Sequence, residues 1–251
     1  SCDRIRLVKN TENSLLLASQ SPRRRELLSF IGIPFDVASA DVDESLYPDE
    51  SPKNYVLRLA EAKARALASP HPNLPPQGEG RSSLPLRGRA ERGGKIIIGS
   101  DTAVVDDGET LGKPRDKREA ESMLRQLRGR THQVYTGIVI YDETSDTVFS
   151  ELCISDVPMR DYSDAEMDAY IQTDDPMDKA GGYAIQNGKF APVERFNGCF
   201  ASVMGFPLCH LARSLKKAGI DVSADLPQAC RSSLEYECNI SDAVLRGDDI
   251  G

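Results

Sequence analysis

The sequence contains no apolar run near the roughly 20 residues that a bilayer-spanning helix requires. Its longest candidates, Leu15 to Ala18 and Ile96 to Ile98, are far shorter, so no membrane is expected as a partner. Ser1 to Arg6 shows no continuous apolar stretch before a small-residue cleavage site, and the expected location is the cytoplasm. Positive charge is not in excess either. Thirty-one Lys and Arg against 39 Asp and Glu leave a formal charge of −8, which provides no field to hold a polyanion, and nucleic acid is not an expected partner. Paired cysteines are missing. Cys2, Cys153, Cys199, Cys209, Cys230 and Cys238 include no C-x-x-C pair and no His at ligand spacing, so reduced, mostly buried thiols are expected rather than a zinc site or a disulfide framework. The three histidines, His71, His132 and His210, form no metal motif.

Several nucleotide and hydrolase signatures are also absent. No G-x-G-x-x-G follows a strand pattern and no G-x-S-x-G occurs, which removes support for a dinucleotide fold or a nucleophile elbow. Gly108-Glu-Thr-Leu-Gly-Lys113-Pro114 is one residue short of a P-loop and has Pro where Ser or Thr would hold magnesium.

What remains is an ordinary globular composition, 39% hydrophobic and 28% charged. The run Ser14 to Ala18 reads as a buried strand, followed by a turn and a helix with Ser21 as N-cap and Pro22 in its first turn. Gly32 is placed to end that helix. A short strand is expected over Phe35 to Ala38, then a helix from Pro52 to Leu67, with apolar residues recurring at three and four. Ile96 to Val105, Val134 to Ile140 and Leu152 to Val157 read as strands, and Lys117 to Leu127 as a helix stopped by Gly129. Ser163-Asp-Ala-Glu is a capping box opening a further helix. Ala180 to Gln186 and Phe200 to Met204 are expected to supply late strands, and Leu208 to Ala218 a closing helix. Strands and helices interleave, so the predicted class is α/β, a mixed twisted sheet flanked by helices. One domain over residues 1–222 is expected. It is interrupted at 69–94, where five Pro, five Gly and four Arg fall within 26 residues without apolar periodicity. Residues 223–251 read as an acidic, weakly structured tail.

Three arginines, Arg23 to Arg25, crowd the first turn of a helix whose macrodipole already places positive charge there. Free N–H groups and guanidinium forks at one helix end suit a phosphate, although arginines fanning into solvent would fit the same pattern. Carboxylates recur at the ends of elements: Asp43 and Glu44, Asp101 between Ser100 and Thr102, and Asp178 before Lys179. Asp101 could hold a divalent cation or take a proton from water. Lys63, Lys113 and Lys179 could neutralise phosphate charge.

Leu16-Leu-Ala-Ser-Gln-Ser-Pro-Arg-Arg24, Glu61-Ala-Lys-Ala64, Gly99-Ser-Asp-Thr102, Leu111-Gly-Lys-Pro114 and Asp178-Lys-Ala-Gly181, in this order, resemble the Maf family of nucleoside triphosphate pyrophosphatases. The resemblance spans about Leu15 to Val222. It implies a Maf/ITPase-like fold with a deep cleft, a homodimer, a nucleoside triphosphate as the small-molecule partner, and hydrolysis to a monophosphate and pyrophosphate with a divalent metal cation, Mg2+ or Mn2+. It further implies Asp101 as proton acceptor, and Ser21, Arg23, Arg24, Lys63, Lys113 and Lys179 around the phosphates. Glu44, Asp101 and Asp178 would be the metal carboxylates. Arg23, Thr102 and Gln186 match the dTTP/UTP branch, and the Gln186 amide can both donate to and accept from a pyrimidine edge. The alternatives are 7-methyl-GTP as substrate, and a nucleotide-binding regulatory module linked to cell-division arrest.

Overall fold

The computed structural model describes residues 14–39, 41–68, 94–248 and 250; the 69–94 insert therefore lies outside the described residues except for Gly94. In chain order the first elements are β1 (Ser14–Ala18), α1 (Pro22–Ser29), β2 (Phe35–Ala38), α2 (Pro52–Arg65), β3 (Lys95–Asp106) and β4 (Glu109–Leu111). There follow α3 (Lys117–Leu127), β5 (Thr131–Asp142), β6 (Thr147–Pro158) and α4 (Asp164–Ile171). The last helices are α5 (Phe200–Val203), α6 (Leu208–Lys217), α7 (Leu226–Leu234) and α8 (Ser241–Arg246). The cap chemistry expected from the sequence is present: Ser21 accepts from the Arg24 amide, and Ser163 and Glu166 close a capping box. No described helix is long and apolar enough to cross a membrane.

The sheet is mixed, in the order β2-β1-β3-β5-β6, with β4 beside the far end of β3. β1 pairs in parallel with both β2 and β3, whereas β3, β5 and β6 run antiparallel. β1 accompanies β3 from Lys95 to Ile98, and β4 takes over at Val104. Between them, residues 99–103 have a strand neighbour only on the β5 side. That gap opens a cleft where β1 ends and α1 begins, as open sheets do where strand neighbours diverge.

Helix α2 lies across one face of the sheet, burying Val56, Ala60 and Ala64, which share a stripe at a spacing of four. Its backbone approaches very closely. A Cβ on Gly99 would sit 2.0 Å from the Ala60 carbonyl oxygen, and one on Gly137 2.9 Å from that of Val56. The other face carries the largest apolar cluster, in which Leu15, Leu17, Ile96 and Ile98 meet Leu27, Leu28, Phe206, Leu211 and Leu215.

Two expectations are corrected. The Ala180–Gln186 and Phe200–Met204 segments are not strands: Gly181 and Gly182 both have φ of 68°, which extended backbone cannot accommodate, and Phe200–Val203 is a helical turn closed by Gly205 at φ 102°. The 223–251 tail is not weakly structured over most of its length. It forms α7 and α8, and Leu226, Cys230 and Val244 complete the apolar cluster beneath α6. Arg213 of α6 pairs with the buried Glu151 of β6 and donates to the carbonyls of Val244 and Asp248 at 3.3 and 2.7 Å, fastening the tail to the sheet. Lys217 joins Glu151 at 2.8 Å. The described cysteines are free, as expected, and all but Cys238 are buried.

Gly99→Ala is expected to destabilise the protein by about 3 kcal/mol or more, because the new methyl meets main chain rather than a movable side chain. Urea unfolding measures this. Ala64→Gly in the same chain would not restore stability if the Ala60 carbonyl is the obstacle.

Candidate functional site

The cleft encloses about 680 Å³, and although Arg25 and Asp43 do not line it, Ser21, Arg23, Arg24, Glu44, Lys63, Asp101, Thr102, Lys113, Asp178, Lys179 and Gln186 do. Five of these are cationic and three acidic, so the cleft is locally positive within a chain of net charge −8. Low-dielectric walls focus such a field onto an entering anion.

Alternation along β3 divides the site between the two faces of the sheet. Gly99, Asp101 and Ala103 face α2, and the glycine contact brings Lys63 beside Asp101. Lys63 Nζ lies 2.6 Å from Asp101 Oδ1 and 2.6 Å from Glu44 Oε1, joining two carboxylates through one ammonium. Burial raises the Glu44 carboxyl, but the Lys63 hydrogen bond and charge, with Lys113 and Arg24, outweigh it and hold the group below its ordinary value.

On the opposite face, Arg24 donates from Nε to the Gly205 carbonyl at 3.0 Å and from Nη2 to Thr102 Oγ1 at 3.2 Å. Thr102 and Thr136 hydroxyls are 3.1 Å apart, and Thr136 donates to the Ser202 carbonyl at 2.9 Å. Ser100, fully buried, donates to the same Gly205 carbonyl at 2.9 Å. Arg24 is thus aimed by neutral acceptors, and among the described residues it makes no ion pair. Burial lowers its pKa, Asp101 and Glu44 oppose that shift, and Arg23 adds to it. A Cβ on Gly205 would come within 3.1 Å of Thr102 Oγ1 and 3.3 Å of Arg24 Nε, so glycine is needed there for packing as well as for φ.

The third wall is the 175–187 segment. Tyr170 Oη donates to Asp175 at 2.8 Å and accepts from the Ala184 amide at 3.1 Å, while Asn187 donates to Asp175 at 3.0 Å. Gly181 N donates to the Gly112 carbonyl at 3.0 Å, which ties this segment to the turn carrying Lys113. Lys179, buried, contacts Asp178 at 2.5 Å and Asp175 at 3.0 Å, and Arg23 reaches Asp178 at 3.3 Å. Burial raises Asp178, yet Lys179 and Arg23 prevail and its pKa is lowered.

The three carboxylates expected to act together are therefore divided. Glu44 and Asp101 share Lys63, whereas Asp178 is turned into Lys179 and Arg23 on the opposite wall. Among the described residues no three acidic, His or Cys side chains are disposed as a ligand group. Thr136, Ser100, Gly205, Tyr55 and Tyr183 were not anticipated. Thr136 was detectable as a hydroxyl within the otherwise apolar Val134 to Ile140 run; Gly205 owes its role to a contact 181 residues from Arg24.

Tyr183, in the cleft wall, is held from behind by the buried His132, whose Nε2 lies 2.8 Å from Tyr183 Oη. Burial lowers the His132 pKa to about 4, only partly opposed by Asp106. Because the unfolded chain takes up this proton first, near pH 6.5, stability is complete above that pH and falls as the pH drops towards 4. The full loss is about 3 kcal/mol. Between pH 6.5 and 5, above the range of most carboxylates, unfolding free energy is expected to decline more steeply in the wild type than in His132→Gln; equal slopes would refute the assignment.

A family profile described as "Maf-like protein" matches residues 14–218. A dTTP/UTP pyrophosphatase of Geobacter metallireducens is 42% identical over 209 residues, covering 83% of this chain and 98% of the relative. One of Geotalea uraniireducens is 40% identical over 208 residues, covering 83% and 96%, and one of Anaeromyxobacter dehalogenans is 40% identical over 215 residues, covering 85% and 98%. The motifs that surround the cleft and the match across the sheet lead to one assignment: this chain belongs to the Maf-like protein family.

Proposed function

We propose that the protein is a nucleoside triphosphate pyrophosphatase that converts dTTP and UTP, with water, into the monophosphate and pyrophosphate, a housekeeping role in the cytoplasmic nucleotide pool. The observation that carries this reading is the cleft itself, in which Arg23, Arg24, Lys63, Lys113 and Lys179 converge around Asp101. The names of relatives about 40% identical over most of their length support the same substrates.

Lys113, Lys179 and Arg23 would grip a charged chain of phosphates, and Arg24, with no carboxylate partner among the described residues, would meet the oxygens of the phosphorus under attack. Lys63 occupies Asp101 Oδ1, leaving Oδ2 to accept a proton from water. Glu44 and Asp101, both drawn to Lys63 Nζ, would offer a hard-oxygen pair to Mg2+ or Mn2+ beside that ammonium, ions that take one or two carboxylates and complete their shell with phosphates and water. Bound there, the ion would neutralise charge on the phosphates and the departing pyrophosphate. Asp178 serves instead to orient Lys179 and Arg23. Gln186, exposed at the mouth of the cleft, would read the pyrimidine edge.

Pyrophosphate release from dTTP, UTP, CTP, GTP and 7-methyl-GTP, with magnesium or manganese, tests the proposal. Turnover of dTTP and UTP is expected, reduced by roughly 10²- to 10⁴-fold in Asp101→Asn, the range for loss of a general base. Preference for 7-methyl-GTP would overturn the base assignment. Nucleotide binding without turnover of any substrate would overturn the enzymatic one in favour of a regulatory module.

A further inference from the structure

Glu44 sits in a stretch without regular structure, between β2 and α2, that is exposed for most of its length. An exposed chain does not hold a carboxylate in place unless something fastens it. The fastening comes from one face of α2. Arg58 grips Glu50 with a two-pronged fork, Nε to Oε1 at 2.6 Å and Nη2 to Oε2 at 2.7 Å, and also donates from Nη2 to the Ser45 carbonyl at 3.0 Å. Its guanidinium lies over the Tyr47 ring, 3.9 Å from the centroid. Glu50 in turn accepts from the Tyr47 amide at 3.2 Å, and Asp43 accepts from the Ser45 amide at 2.9 Å. One turn earlier on the helix, Tyr55 donates to the Glu44 carbonyl at 3.0 Å. The Arg58 fork is also the main reason the Glu50 carboxyl lies below its ordinary value. The Glu50 side chain is almost buried in this contact, at 8% exposure, although the loop around it is open.

Arg58 does not line the cleft, yet its polar contacts and its stack on Tyr47 fall on the segment that carries Glu44. We infer that Arg58 is a positioning residue: it fixes residues 43–50 against α2 and so sets the Glu44 carboxylate opposite Asp101, across Lys63. The consequence for turnover rests on the pyrophosphatase reading; the consequence for loop order does not. A planar fork that also stacks on an aromatic ring cannot be replaced by a lysine, which has the charge but neither the second prong nor the flat face.

The test uses the full chain and compares Arg58→Ala and Arg58→Lys with Arg65→Ala. Arg65 is a fair comparison because it is on the same helix, pairs with Glu61 and Asp146 and covers the Tyr141 ring at 4.7 Å, but it has no contact with the 43–50 loop. Amide hydrogen exchange at Ser45 and Tyr47 is expected to accelerate in both Arg58 variants and to be unchanged in Arg65→Ala, with β3 and α2 protection retained throughout. In steady-state kinetics, Arg58→Ala is expected to lower kcat roughly 10- to 100-fold, the scale of a misplaced catalytic group, with KM for dTTP within about twofold of wild type. In a Glu44→Gln background the same change should add less than about twofold, since both substitutions remove one contribution.

Unaltered exchange over 43–50 in Arg58→Ala would overturn the positioning role, whatever the kinetics. A full additional kcat loss in the Glu44→Gln background would show that Arg58 acts by another route, and would overturn it as well. A wild-type protein without turnover would refute the pyrophosphatase reading instead, leaving the exchange measurement to decide the fate of the clamp.

Discussion

The arrangement of the site depends on how closely α2 approaches the sheet. Two glycines, Gly99 and Gly137, and a stripe of small residues, Ala60 and Ala64, let a helix backbone rest nearly on strand backbones. Ordinary helix–sheet packing keeps side chains between the two layers. Here that spacing is removed over one stretch, and the ammonium of Lys63 arrives beside an Asp101 only two residues beyond Gly99. Main-chain geometry thus brings a long flexible side chain within reach, and the two carboxylates hold its end.

The same strand serves a different purpose on its other face. Thr102 and Ser100 point away from α2, into a chain of neutral acceptors ending at the Ser202 and Gly205 carbonyls, and that chain orients Arg24. An arginine held by carbonyls and hydroxyls keeps its full charge for a ligand; one held by a carboxylate does not. Alternation along β3 therefore separates two electrostatic environments: an ammonium in direct contact with acids on one side, and on the other a guanidinium that makes no ion pair among the described residues.

How much of this was legible in the sequence follows the range of the interactions. Lys117 to Leu127, with its apolar face and its stop at Gly129, and the Ser163 capping box are written in residues three and four apart, and they form where expected. The cleft residues were legible as short motifs, although Asp101 and Thr102 lie in the middle of β3 and not at the strand's end that their polar surroundings suggested. The errors occur where distant contacts decide. Phe200 to Met204 is a short apolar run whose periodicity cannot distinguish strand from helix, and Gly181 and Gly182 took left-handed angles that composition alone did not require. The final acidic stretch has apolar positions without a clear repeat, and it folds where Leu226, Cys230 and Val244 meet the cluster under α6 and Arg213 reaches the Val244 and Asp248 carbonyls. The division of the carboxylates, with Asp178 turned towards Lys179 and Arg23, reflects pairings between separate parts of the chain, and the Arg58 fork depends on how a loop lies back against α2.

The ion pairs within the cleft also shape what can bind there. Lys63 already has Glu44 and Asp101, and Lys179 and Arg23 already have Asp178, so these three cations are engaged, whereas Lys113 and Arg24 make no ion pair among the described residues. An incoming anion gains little by exchanging its own charge for one of these pairs. Several linked charges can open both walls in a single event, sharing the loss of translational freedom between them. A lone phosphate reaches only one wall and must compete with the carboxylates that remain. A chain of several phosphates can engage Lys113 and Arg24 together with the cations of both walls, which a single phosphate cannot do at once.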